Sequence, residues 1–157
     1  MRPTHYPIAY PDGRPRNAEA FLLDPTSGAK YLVTKRKKRE GELFALPTEL
    51  QADTTNVAAD LGIPMPRKVT DGAFSADGAY AVLTDGREAH VLDARTWAVI
   101  RRFPLPPVRQ GESLAFHPDG RLFASVHAFV IESVGRRIVE GREGLATRMR
   151  TRCLTSL

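Results

Sequence analysis

Residues 70–84 read TDGAFSADGAYAVLT. Asp77-Gly78 is a turn signal, because aspartate accepts local backbone hydrogen bonds and glycine supplies positive φ. Apolar residues flank it, as a β-hairpin requires. Ala73-Phe74 ends one strand, and Tyr80, Val82 and Thr84 alternate with Ala79, Ala81 and Leu83 along the next. Asp85-Gly86 then reads as a two-residue turn of the type I′ kind. Ala89–Asp93 forms a third strand, Asp93–Thr96 turns the chain, and Trp97–Phe103 forms a fourth. Pro104, Pro106 and Pro107 stop that strand, since proline cannot donate to a ladder.

The same wording recurs on both sides. Phe116-His117-Pro118-Asp119-Gly120 matches Phe74-Ser75-Ala76-Asp77-Gly78, and Asp24-Pro25-Thr26-Ser27-Gly28 is a first copy with one extra turn residue. Self-similarity at roughly 40–50 residues is the mark of β-propeller blades. The turn glycines, Gly28, Gly78 and Gly120, fit that period. The first blade shows three clear strands, Glu19–Leu23, Lys30–Thr34 and Glu42–Leu46, and a looser stretch from Pro47 to Met65 with room for a short irregular fourth. The expected fold is therefore all-β: about two and a half four-stranded antiparallel propeller blades over residues 17–126. An N-terminal extension (1–16) precedes them and an atypical basic tail (127–157) follows. Weak helical spacing of Val130, Val134, Ile138, Leu145 and Met149 suggests a helix in that tail.

Composition is that of an ordinary folded domain, with 42% hydrophobic and 26% charged residues. The net charge of +5 comes from 18 arginines and 5 lysines against 18 acidic residues. It permits anionic partners, but no nucleic-acid reading motif accompanies it, so nucleic acid is not an expected partner. The single cysteine, Cys153, excludes an internal disulfide and a cysteine-built zinc site. No apolar run approaches the ~18 residues of a transmembrane helix, and the first residues carry no signal-peptide core. As written the chain reads as cytoplasmic; an upstream signal would make it secreted or periplasmic.

Asp93-Ala94-Arg95-Thr96-Trp97, with Phe-Ser-Ala-Asp-Gly before the second strand, resembles the blade pattern of tryptophan–aspartate repeat and related bacterial propellers. Asn17–Pro25 and Gln110–Phe116 more particularly resemble six-bladed propellers of the gluconolactonase and regucalcin group and of the esterase-like phytase group. The resemblance covers about residues 17–126. It implies blades whose first strand is innermost and, in the regucalcin-like group, a metal-binding glutamate at the start of an inner strand. Propellers close with typically ~4–8 blades, so the remainder would come from further sequence or from oligomerisation.

Each copy opens on an acidic residue: Glu19, Asp71 and Glu112. Carboxylates at the starts of inner strands would converge at one mouth of a central channel, and several oxygen ligands suit Ca²⁺. These three are the candidate metal ligands; backbone capping is the alternative role. No catalytic set is complete: Gly111-Glu112-Ser113-Leu114-Ala115 is not a nucleophile elbow. His117 reads as a turn residue, and His90 as a strand residue facing solvent or a neighbouring blade. Lys35–Arg39 reads as a solvated hairpin tip, and Trp97 as packing. The expected function is a non-catalytic propeller-type binding or scaffold module for a protein or small-molecule ligand. The alternative is a part of a calcium-dependent propeller hydrolase, and a truncated propeller with no function of its own is the third possibility.

Overall fold

The computed structural model describes residues 3–105, 113–117, 119–126, 129–133 and 149–153, with side chains through residue 123. Three four-stranded antiparallel sheets dominate. The first blade holds β2 (Ala18–Leu23), β3 (Lys30–Thr34), β4 (Gly41–Ala45) and β6 (Ala59–Met65) in that order. The second holds β7 (Asp71–Phe74), β8 (Tyr80–Thr84), β9 (Glu88–Asp93) and β10 (Val99–Pro104). The third holds β11 (Ser113–Phe116), β12 (Leu122–Val126), β13 (Phe129–Ser133) and β14 (Met149–Cys153). Each sheet is a meander in chain order. The first strands β2, β7 and β11 pack side by side, β7 in the middle, as inner strands of adjoining blades do.

The repeated turns fold alike. Gly28, Gly78 and Gly120 all take positive φ, between 69° and 85°. The Gly78 and Gly120 amides donate to Ser75 and His117 carbonyls, three residues back, whereas Gly28 donates to Asp24, four residues back. That is the extra residue of the first copy. Gly78 also sits against the first turn: a Cβ there would lie 2.8 Å from Thr26 Cγ2 and 3.0 Å from Asp24 Oδ1. The turns of the first and second blades thus lie against each other, whereas a Cβ on Gly120 would meet nothing within 4 Å.

Four expectations change. The stretch before Met65 holds the expected irregular fourth strand, β6, but at seven residues it is longer than expected, and its register with β4 shifts between Glu42 and Phe44. Gly62 (φ 65°) and Pro64 break its alternation, and both are tolerated because β6 is the outer edge of its sheet. The β8–β9 loop centres on Gly86-Arg87, with positive φ on Gly86 alone, the II′ pattern rather than I′. Trp97 lies in a turn with φ 60°, and the fourth strand starts at Val99. Within 127–157 the described stretches are strands β13 and β14, not helix. They complete the third blade, and the pattern of Val130 and Met149 is a coincidence of spacing. The intervening residues, with Val134, Ile138 and Leu145, lie outside the described ones.

Two apolar cores lie between blades. Ala20, Leu22, Val33, Leu43, Met65 and Val69 of the first blade and its exit meet Phe74, Ala81, Leu83, Leu92 and Trp97 of the second. Val82, Ala89 and Val91 on the other face of the second blade meet Leu114 and Leu122 of the third. The period-2 alternation of β8 therefore feeds two cores, which is why all of Ala81–Thr84 is buried. Residues 3–16 pack on the first blade. There β1 (Ile8–Ala9) pairs in parallel with β5 (Asn56–Val57), and Tyr10 stacks edge-on against Phe44 at 4.8 Å.

Candidate functional site

Among the described residues, most aspartates accept hydrogen bonds from the chain's own backbone amides. Asp24 Oδ1 accepts from the Thr26 amide and hydroxyl, and Asp93 Oδ1 from the Arg95 and Thr96 amides and the Thr96 hydroxyl. Asp77 Oδ1 accepts from Ser75 Oγ at 2.6 Å and from the Ala79 amide. His117 occupies the Ser75 position of the third copy, with Nδ1 2.9 Å from Asp119 Oδ1. It is a turn residue, as its place in the repeat suggests. Hydrogen bonds to the carboxylates of Asp24, Asp77 and Asp93 hold each below the ordinary range.

Of the three candidate metal ligands, Glu19 is exposed near the start of β2, and its Oε1 lies 3.7 Å from Lys35 Nζ. Asp71 begins β7, and its Oδ2 accepts the Leu114 amide of β11, tying the second blade to the third. Burial pushes the Asp71 carboxyl up, and amide donors from Gly72 and Leu114 pull in the other direction without cancelling it. Glu112 lies outside the described residues. The strands that carry Glu19 and Asp71 are neighbours, so the two carboxylates open adjacent inner strands.

The Lys35–Arg39 run connects β3 to β4, as its reading as a hairpin tip requires. Arg36 Nη2 donates to Glu42 Oε2 at 2.6 Å, and Arg16 Nε donates to the same oxygen at 3.2 Å. Arg16 also forks onto both oxygens of Asp12, holding that carboxyl at about 2. These groups, with Arg14 and Arg39, rim a cleft of about 340 Å³. Within the run, Lys35 is paired with Glu19 and Arg36 with Glu42.

A constellation not anticipated from sequence lies at the β8–β9 hairpin. Asp85 Oδ1 accepts the Arg87 and Glu88 amides at 2.8 Å each, which fixes its carboxylate. Its Oδ2 points to His90, whose Nε2 is 3.9 Å away. His90 is buried, with its side chain 7% exposed, and neither ring nitrogen has a hydrogen-bond partner. Burial pushes the imidazole below its ordinary value; Asp85 and Glu88 pull it up, and Arg102, paired with His90 across the sheet, adds to the downward shift. Glu88 and His90 alternate onto one face of β9. Ligand atoms of Asp85, Glu88 and His90 all fall within 4.8 Å of one another. The signal in sequence was D-x-x-E-x-H, a spacing legible only once the turn is known to fold Asp85 back over the strand.

No family model matches the chain, and no curated protein matches it. Solved structures do. A structure described as the Dos1 propeller superposes with a TM-score of 0.51 at 10% identity, over 74% of this chain and 30% of that one. A eukaryotic initiation factor superposes with a TM-score of 0.52 at 13% identity, over 76% of this chain and 30% of that one. The fold is that of β-propeller blades. The chain spans about a third of the length of these structures. Among the described residues no helix is long and apolar enough to cross a membrane.

Proposed function

We propose that the chain is a non-catalytic binding module that works as part of a propeller ring, with a second copy able to supply the blades it lacks. The observation that carries this is the asymmetry of β2. Ala20 and Leu22 are buried against the second blade, while Phe21 and Leu23 on the opposite face are 53% and 51% exposed. Two large apolar side chains on an inner strand match the face that a further blade covers, and an open blade face is a liability otherwise. Two copies of three blades would give a six-bladed ring, inside the usual range. The binding rather than catalytic character is supported by the engaged carboxylates: they serve turns and ion pairs, leaving a rigid frame that presents loops.

Size exclusion with light scattering over a concentration series tests this. The chain should associate as a closed dimer, and Phe21→Glu with Leu23→Glu should return it to a folded monomer. A wild-type chain that stays monomeric at high concentration would sink the reading of ring closure by copies.

A second reading is favoured by the carboxylates opening neighbouring strands. Under it, Glu19, Asp71 and Glu112 hold Ca²⁺ in a hydrolase related to the gluconolactonase or phytase-like propellers. Calcium at ~1 mM should then raise the melting temperature, and Glu19→Gln should remove the rise. No shift in wild type rejects it.

A further inference from the structure

We propose that Asp85, Glu88 and His90 form a binding site for a borderline divalent transition-metal ion of the Zn²⁺ class. The site uses residues other than Glu19, Asp71 and Glu112 and does not depend on either reading above. Three observations meet here. The three ligand atoms lie within 4.8 Å of one another. His90 is more than nine-tenths buried, and both of its ring nitrogens lack partners. Asp85 is locked by two amides on Oδ1, which leaves Oδ2 facing the imidazole.

The orphan imidazole is the decisive one. Buried polar groups are almost always hydrogen-bonded, so an unpaired buried histidine needs a reason. The 3.9 Å from Nε2 to Oδ2 is too long for a hydrogen bond. Two ligands each about 2.0–2.1 Å from a tetrahedral ion sit about 3.3 Å apart, so a small closure would seat a cation between them. Glu88, exposed at the start of β9, is the third ligand.

The donor set selects the ion class. One imidazole with two carboxylates suits Zn²⁺, Co²⁺ or Ni²⁺, whereas Ca²⁺ and Mg²⁺ prefer all-oxygen sites. Three protein ligands leave a position for water, as in open rather than structural zinc sites. Arg102 is the opposing charge nearby. It is exposed on the outer strand β10, and its side chain has solvent to turn into.

The test is calorimetric titration of untagged, chelator-treated protein with Zn²⁺, paired with Co²⁺ absorption spectra. One ion per chain should bind, with visible Co²⁺ bands of low-symmetry coordination, and 1 mM Ca²⁺ or Mg²⁺, a level chosen from the weak end of calcium affinities, should not compete. Asp85→Asn keeps the turn cap and Glu88→Gln is exposed, so both should fold. Each should weaken Zn²⁺ binding by at least about tenfold, the loss that even an outer-shell change produces. His90→Gln should abolish the Co²⁺ bands. Unchanged affinity in Glu88→Gln and Asp85→Asn overturns the site, as does binding that disappears only when His5 or His117 is replaced. Should His90→Gln fail to fold, the other two variants decide.

Discussion

The two interfaces of the second blade are built differently. Toward the first blade, Trp97, Tyr31 and Phe74 form an aromatic cluster, with Trp97 edge-on to Tyr31 at 4.9 Å and to Phe74 at 5.8 Å. Gly72 lets the strands close in: a Cβ there would lie 2.5 Å from Leu83 Cδ2 and 2.9 Å from Leu22 Cδ2. Toward the third blade the buried side chains are aliphatic, Val82, Ala89, Val91, Leu114 and Leu122, with half-buried Tyr80, Phe103 and Phe116 packed against them, and a polar strut runs from Asp71 to the Leu114 amide. Both interfaces bury apolar area; among the described residues the first buries more side chains and includes Trp97 and Phe74, while the second adds a hydrogen bond at its edge. Blades one and two should therefore act as a cooperative pair onto which the third docks.

Trp97 carries the sharpest test. A non-glycine residue in the left-handed region costs about 1–2 kcal/mol. Burying an indole returns more, since aromatic side chains bury about 150–250 Å² at ~25 cal/mol/Å². Trp97→Gly relieves the strain but leaves a cavity worth about 3–5 kcal/mol, for a net loss of about 1–4 kcal/mol in denaturant unfolding followed by circular dichroism. In wild type this one tryptophan makes fluorescence a reporter of the first interface alone. A variant no less stable than wild type would mean the aromatic cluster is not what joins these blades.

Gly72→Val comes next. Its side chain would meet Leu22, Leu83 and the Val82 carbonyl, so overpacking should cost about 1–3 kcal/mol and spread the first interface while sparing the second. Asp71→Ala should do the reverse. Losing the acceptor for the Leu114 amide should cost about 1–2 kcal/mol and raise amide exchange in β11 selectively. Asp71→Asn still accepts that bond. Because the folded carboxyl titrates above its ordinary value, ionisation opposes folding, and wild type should lose stability relative to Asp71→Asn as pH rises from about 4.

The smallest effect belongs to the periphery of the first blade. Burial pushes Glu42 up, but hydrogen bonds and charge from Arg36 and Arg16 more than reverse it, so its folded value lies below the ordinary 4.5. Its contribution is present above that value and is lost as pH falls through the lowered one. Glu42→Gln should cost no more than about 1 kcal/mol at neutral pH and should flatten the acid limb of the stability profile. An effect as large as that of Trp97→Gly would move the weight of the fold from the interfaces to its charged rim.

Much of the architecture was readable because its causes are local. Positive φ at Gly28, Gly78 and Gly120, aspartate caps on the turns and period-2 strands act within a few residues, so the repeat, the hairpins and the blade order followed from the sequence. What failed was also local in appearance. Gly62 and Pro64 hide β6 because an outer edge strand tolerates what a central strand does not. Trp97 looked like a strand residue because nothing in its neighbours announces a left-handed turn.

The sequence by itself determined the all-β repeat and the turns that space it, since these depend on backbone preferences of adjacent residues. Only the tertiary structure decided which carboxylates are engaged, which face of β2 is left open, and that His90 is buried beside Asp85 without a partner. Those depend on packing between strands far apart in the chain, where burial changes what a polar group needs.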